Sequence, residues 1–149
     1  MNMLDKIEKE MREAIKGGKI LESETLKMLK SDMMYEKAKT GKDLTDEKML
    51  EVVARAAKRR KESIFEFRKG NREDLALKEE DELKIIEAYL PAQLSEGDIE
   101  AYIDSKLATL GPINKKDFGN VMGEMMKDLK GKADGAVVKT ILNRKMEQL

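Results

Sequence analysis

Apolar residues along this chain recur at three- and four-residue intervals and nowhere alternate with polar ones, so helices are predicted from end to end. The first stripe is Leu4, Ile7, Met11 and Ile15, opened by Asn2 as a cap and stopped at Gly17-Gly18. A second helix is predicted from about Glu22 to Ala38, with Leu26, Leu29 and Met33 on one face, Met34 beside them and Gly41 at the exit. Thr45 caps a third over 46–69, where Asp46 and Glu47 place negative charge at the favourable end of the helix dipole. Leu50, Val53, Ala57, Ile64 and Phe67 or Arg68 drift round one side of it, over about 36 Å at about 1.5 Å per residue. Gly70-Asn71 then closes one helix and opens the next, with Asp74 completing a capping-box-like exchange. The fourth helix carries Leu75, Leu83, Ile86 and Tyr89-Leu90 and ends at Pro91, which pushes the residue before it out of helical geometry.

Pro91-Ala92-Gln93-Leu94 marks a boundary between subdomains. Ser95 reopens a helix with Asp98 as its capping-box partner, Ile99, Tyr102, Ile103 and Leu107 form its stripe, and Gly111-Pro112 closes it. Next comes the stripe Phe118, Val121, Met122, Met125 and Leu129, ended by Gly131 in the left-handed position. Asp134 caps the last helix, on which Val137 or Val138, Ile141, Leu142 and Met146 face inward. The expectation is an all-α, multihelical protein of two subdomains: a four-helix N-terminal part over 1–91 and a three-helix C-terminal bundle over 92–149.

Composition narrows the chemistry. Across 149 residues, 40% are charged and 4% aromatic, with eleven Met, two Pro and no Trp, a mixture that favours long helices. Thirty Lys and Arg balance thirty Asp and Glu, so any electrostatic partner must meet a local patch. With no Cys and no His, thiolate nucleophiles, histidine bases and sulfur- or imidazole-bound metals are excluded, and no metal or cofactor is expected. No apolar run reaches membrane-spanning length and MNMLDKIEKEM lacks an apolar signal core, which predicts a soluble cytoplasmic protein without membrane contact.

Charge is uneven at the level of subdomains. Glu96, Asp98, Glu100 and Asp104 face Lys106 alone in the fifth helix, whereas 112–149 holds eight basic residues against five acidic. Lys127, Lys130 and Lys132 gather at the corner between the last two helices, and Lys115, Lys116 and Lys139 flank it. Such lysines can neutralise RNA phosphates, with exposed N–H groups at Asp134-Gly135 taking a further oxygen. They equally suit a solvated helix end that offsets the dipole. The run Arg55, Lys58, Arg59, Arg60 and Lys61 reads either as a binding patch or as a face paired with Glu51 and Glu62. Without interleaved aromatics, RNA contact there is expected to follow backbone and shape. Met122, Met125 and Met126 are expected in the core, and an exposed Phe65 or Phe67 beside Arg68 points to a protein interface.

The segments RRKESIFEFRKGNREDLALKEEDEL, LKEEDELKIIEAYLPAQLSEGDIE and MGEMMKDLKGKADGAVVKTIL together resemble the YqeY family over nearly the whole chain. That family is similar to the C-terminal helical and tail region of the B subunit of the tRNA-dependent amidotransferase. The resemblance implies two helical subdomains and a tail that holds tRNA and carries none of the chemistry, which lies in the enzyme's cradle domain and in another subunit. The enzyme's corner tends to read Gly-Lys-Ala-Asn-Pro, where this chain has Gly131-Lys132-Ala133-Asp134-Gly135. The expected function is a non-catalytic tRNA- or RNA-binding accessory protein. Two alternatives stand: a helical adaptor for a synthetase or amidotransferase subunit, and the carbon–nitrogen ligase activity, with glutamine as amido donor, that the family label carries.

Overall fold

The computed structural model describes residues 1–148 and contains seven α-helices and no strand among them. The chain divides into two compact units, Met1–Pro91 and Ala92–Leu149, each taken by itself.

In the first unit α1 spans Met3–Lys16, α2 Ile20–Thr40, α3 Asp46–Lys69 and α4 Glu73–Glu87. Asn2 caps α1 through a reciprocal exchange with Asp5, and Thr45 caps α3 by accepting from the Lys48 N–H at 3.1 Å. The core is Ile7 from α1, Leu26, Leu29 and Met33 from α2, Met49, Val52, Val53, Ala56 and Ala57 from α3, and Ile86 and Tyr89 from α4 and the turn after it. Removing these side chains from water is the main source of the unit's stability. The Tyr89 hydroxyl reaches the Glu10 carboxylate, and burial together with that contact holds the phenol well above its usual range.

Several expectations need correcting here. Ile15 ends the α1 stripe in sequence but is exposed, because the buried face that runs through Ile7 reaches Ala14, seven residues on, and leaves Ile15 turned aside. Met34 is exposed beside the Leu26, Leu29 and Met33 stripe, and α2 is longer than expected at both ends. On α3, Val53, Ala57 and Ile64 are buried as expected but Leu50 only partly, and Met49, Val52 and Ala56 are buried beside them because α2 and α4 both pack on α3 and widen its apolar face. Asn71 does not cap α4. It sits at φ 58, the cap position is Arg72, and Asp74 binds the Arg72 guanidinium at 3.2 Å. The helix also stops at Glu87, so Tyr89 and Leu90 lie in the turn before Pro91.

In the second unit α5 spans Glu96–Leu110, α6 Phe118–Leu129 after a 3-10 turn at Lys115–Asp117, and α7 Gly135–Glu147. Ser95 and Asp98 form the expected capping box. Ile99, Ile103, Val121, Met125, Leu129, Val138, Ile141, Leu142 and Met146 make the core, with Met122 and Met126 partly buried against it. Leu149 lies outside the described residues.

Candidate nucleic-acid interface

Packing fixes which way α6 presents its polar side. With Val121, Met125 and Leu129 buried, the helical period turns Gly119, Gly123 and Lys127 to solvent. A Cβ built on Gly119 or Gly123 meets nothing within 4 Å, so this strip is open backbone. Lys127 stands at its end and donates to Glu124 Oε1 at 3.1 Å.

The corner follows. Lys130 donates its N–H to the Met126 carbonyl at 3.0 Å, and Gly131 turns the chain at φ 78, a conformation that costs an L side chain about 1–2 kcal/mol. The N–H groups of Lys132 and Ala133 then return to the Leu129 carbonyl at 2.9 and 3.0 Å. The carbonyls of Gly131 and Lys132 face the segment that enters the unit: Gln93 Nε2 donates to the first at 2.7 Å and the Leu94 N–H to the second at 2.9 Å. Asp134 Oδ1 accepts from the Ala136 N–H at 2.9 Å, so a carboxylate already serves the start of α7. Attraction for a further anion must therefore come from the lysines.

Those lysines differ. Lys115, Lys116, Lys132 and Lys139 are exposed, and their ammonium groups make no ion pair among the described residues. Lys130 is half-buried. The corner brings Lys127, Lys130 and Lys132 onto one short segment with Lys139 in the second turn of α7, whereas Lys115 and Lys116 sit at the opposite end of α6, about 18 Å away at about 1.5 Å per residue. The other two cations of α7 turn inward: Lys145 meets Glu100 at 2.8 Å and Asp104 at 3.1 Å, and Arg144 meets Glu100 at 3.5 Å. The Lys145 hydrogen bond holds the Glu100 carboxyl below its usual range. Tyr102, half-buried, donates to Asp128 Oδ2 at 2.5 Å; burial first, then that carboxylate, push its phenol up to about 12.

The basic run of the first unit is divided between helices. Arg55 and Arg59 turn to α2, donating to Glu36 Oε1 and Asp32 Oδ2 at 2.9 Å each, and Arg60 turns to α4, reaching Glu82 at 2.9 Å and Glu79 at 3.2 Å. These partners lie across helix interfaces and not at Glu51 or Glu62 on α3 itself. Tyr35, Glu36 and Lys39, which complete the α2 side, carried no signal in sequence beyond their place in a helix. The Gly119-x-x-x-Gly123 spacing is plain in the sequence.

A family model for Yqey-like proteins matches residues 4–146. The chain belongs to the YqeY family. It is similar to the protein named altered inheritance of mitochondria protein 41, mitochondrial, of Pyrenophora tritici-repentis, 27% identical over 135 residues that make up 88% of this chain and 73% of that protein. An uncharacterized protein of Schizosaccharomyces pombe is 32% identical over 94 residues, 63% of this chain and 76% of that one. The protein 41 of Lachancea thermotolerans is 40% identical over 77 residues, half of this chain and 41% of that protein. No helix among the described residues is long and apolar enough to cross a membrane. The expected cytoplasmic location meets two relatives whose names place them in mitochondria.

Proposed function

We propose that this YqeY protein is a non-catalytic RNA-binding accessory protein whose C-terminal unit grips tRNA or another structured RNA by its phosphates. The observation that supports it is the set of four exposed lysines, Lys115, Lys116, Lys132 and Lys139, that take no carboxylate partner among the described residues while Arg144 and Lys145 beside them do. Tyr102 and Phe118 are the unit's aromatics and both are half-buried, so it offers little surface for base stacking and the contact is to backbone and shape. Kinship with the tail of the amidotransferase B subunit is part of this reading. The setting is an RNA-containing interior, cytoplasmic here and mitochondrial in the relatives so named.

Four phosphate contacts give a slope of log affinity against log salt of about −3 to −3.6. A gel shift with total tRNA across a salt series measures it. Changing Lys130 and Lys132 together to Glu is expected to abolish retention while circular dichroism stays helical. Unchanged binding removes the corner from the reading, and a flat salt series removes phosphate contact altogether.

A second reading, a helical protein–protein adaptor, draws on a different surface. Phe65 is 64% exposed and Leu77 50%, and Arg68 pairs with Glu73 and Glu80, which flank Leu77 on one face of α4. Salt-insensitive capture of a synthetase or amidotransferase subunit, lost on Phe65→Ala, favours it. Glutamine-dependent amide formation by the isolated chain replaces both readings with the ligase.

A further inference from the structure

We infer that the groove between α2 and α3 is a nucleotide site, taking a base against Tyr35 and a single phosphate between Lys39, Arg55 and Arg59. This goes beyond the lysine corner, lies wholly in the first unit, and does not require the corner to bind anything.

The groove holds about 320 Å³. Tyr35 stands at its edge, 68% exposed, an aromatic side chain that the core does not use. The Lys39 ammonium lies 4.9 Å from the ring centroid, which orients the ring and adds a cation–π attraction. The floor is organised by one carboxylate. Glu36 is buried, 8% exposed, and gathers Lys39 at 3.3 Å, Lys48 at 3.8 Å and Arg55 at 2.9 Å, three cations from two helices on one anion. The Arg55 hydrogen bond, the largest influence on it, keeps the Glu36 carboxyl below its usual range. Asp32 holds Arg59 at 2.9 Å in the same way.

These bonds position the arginines without exhausting them, since a guanidinium carries five N–H donors and each is fixed here through Nη2. The walls carry four cations, Lys39, Arg55, Lys58 and Arg59, against three carboxylates. So nearly balanced a lining suits a single phosphate group better than a triphosphate. An exposed ring beside paired, preset cations is the arrangement by which proteins hold an unstacked base and its phosphate. An acidic peptide would use the cations and leave the ring idle.

The test uses the full chain with two probes in 50 mM salt: adenosine monophosphate, followed by calorimetry, and a fluorescent ten-residue oligoadenylate, followed by anisotropy. Stacking contributes about 1–3 kcal/mol per base, so Tyr35→Ala is expected to weaken binding about 5- to 150-fold while Tyr35→Phe keeps most of it. Arg59→Gln is expected to weaken it and flatten the salt slope. Binding of the monophosphate indicates a free nucleotide as the natural ligand, and binding of the oligomer alone indicates an unpaired residue of RNA; both carry the proposal. Binding of neither probe overturns it, as does a Tyr35→Ala chain that binds like the original, or displacement of the oligomer by oligoglutamate at equal concentration. The Lys130→Glu, Lys132→Glu chain separates the two sites: Tyr35-dependent binding persists in it if the groove is right, whether or not the corner also binds RNA.

Discussion

Gly119 in the first turn of α6 and Gly123 in its middle make the C-terminal unit less stable than its packing allows. Neither Gly119 nor Gly123 has a positive φ, and a Cβ at either position meets open space. Alanine therefore fits both sites without strain, and it loses less backbone entropy on folding. Each replacement is worth about 0.5–1 kcal/mol, and the two lie one turn apart with no shared neighbour, so they add to about 1–2 kcal/mol. The readout is amide hydrogen exchange across α6, Phe118–Leu129, where that gain slows opening about 5- to 30-fold if exchange there follows opening of the unit. Exchange left unchanged or accelerated refutes the reasoning, because it means that the strip is covered or the helix is bent in solution. The same chain informs on function. If its tRNA affinity falls while α6 exchanges more slowly, the bare strip is where a sugar-phosphate backbone lies close, and methyl groups have held it off.

Further predictions concern packing and ionisation. Met125 is fully buried among Ile, Leu and Val side chains, so Met125→Ala is expected to cost about 2–5 kcal/mol, seen as a lower urea midpoint for the C-terminal unit; a change below about 1 kcal/mol contradicts the assigned core. Burial first, then the Glu82 charge, raise the Glu79 carboxyl, and its Oε2 sits 3.2 Å from Arg60 Nε but off the donor's axis, without a hydrogen bond. A raised carboxyl binds its proton more tightly folded than unfolded, so its contribution is favourable at acid pH and is lost as pH rises from the ordinary carboxylate range through the raised value. Glu79→Gln is therefore expected to raise stability at pH 7, with the advantage fading as pH falls through the raised value and gone below about pH 4.5, where the native carboxyl is protonated in both states. A loss of stability at pH 7 would show that the Arg60 attraction outweighs desolvation.

Helix caps and stops were the most legible part of the sequence. Asn2, Thr45, Ser95 and Asp134 cap helices as their side chains predict, since a cap depends only on residues within one turn. Arg72 took the place expected of Asn71 because a left-handed Asn71 closes α3 more tightly than it could open α4, a choice that depends on the angle between two helices. Burial was readable where one partner packs on a helix, as at Met125 and Leu129, and less so on α3, where α2 and α4 share the surface. The lysine corner could be read as a charge pattern. Which of its members are left unpaired could not, since Arg144 and Lys145 find Glu100 and Asp104 only once α5 and α7 are packed. The Glu36 hub joins residues up to 19 apart on different helices and has no local signature.

The inward turn of Arg144 and Lys145 has an electrical consequence. Residues 92–149 carry nine cations and nine anions; Arg144 and Lys145 neutralise Glu100 and Asp104 of α5, so Lys115, Lys116, Lys132 and Lys139, which take no carboxylate among the described residues, stand as local positive charge around α6 and the start of α7. A unit of balanced charge exerts little net field at a distance, so on the RNA-binding reading a polyanion would be felt only close to those lysines, within the roughly 8–10 Å over which salt leaves the attraction unscreened.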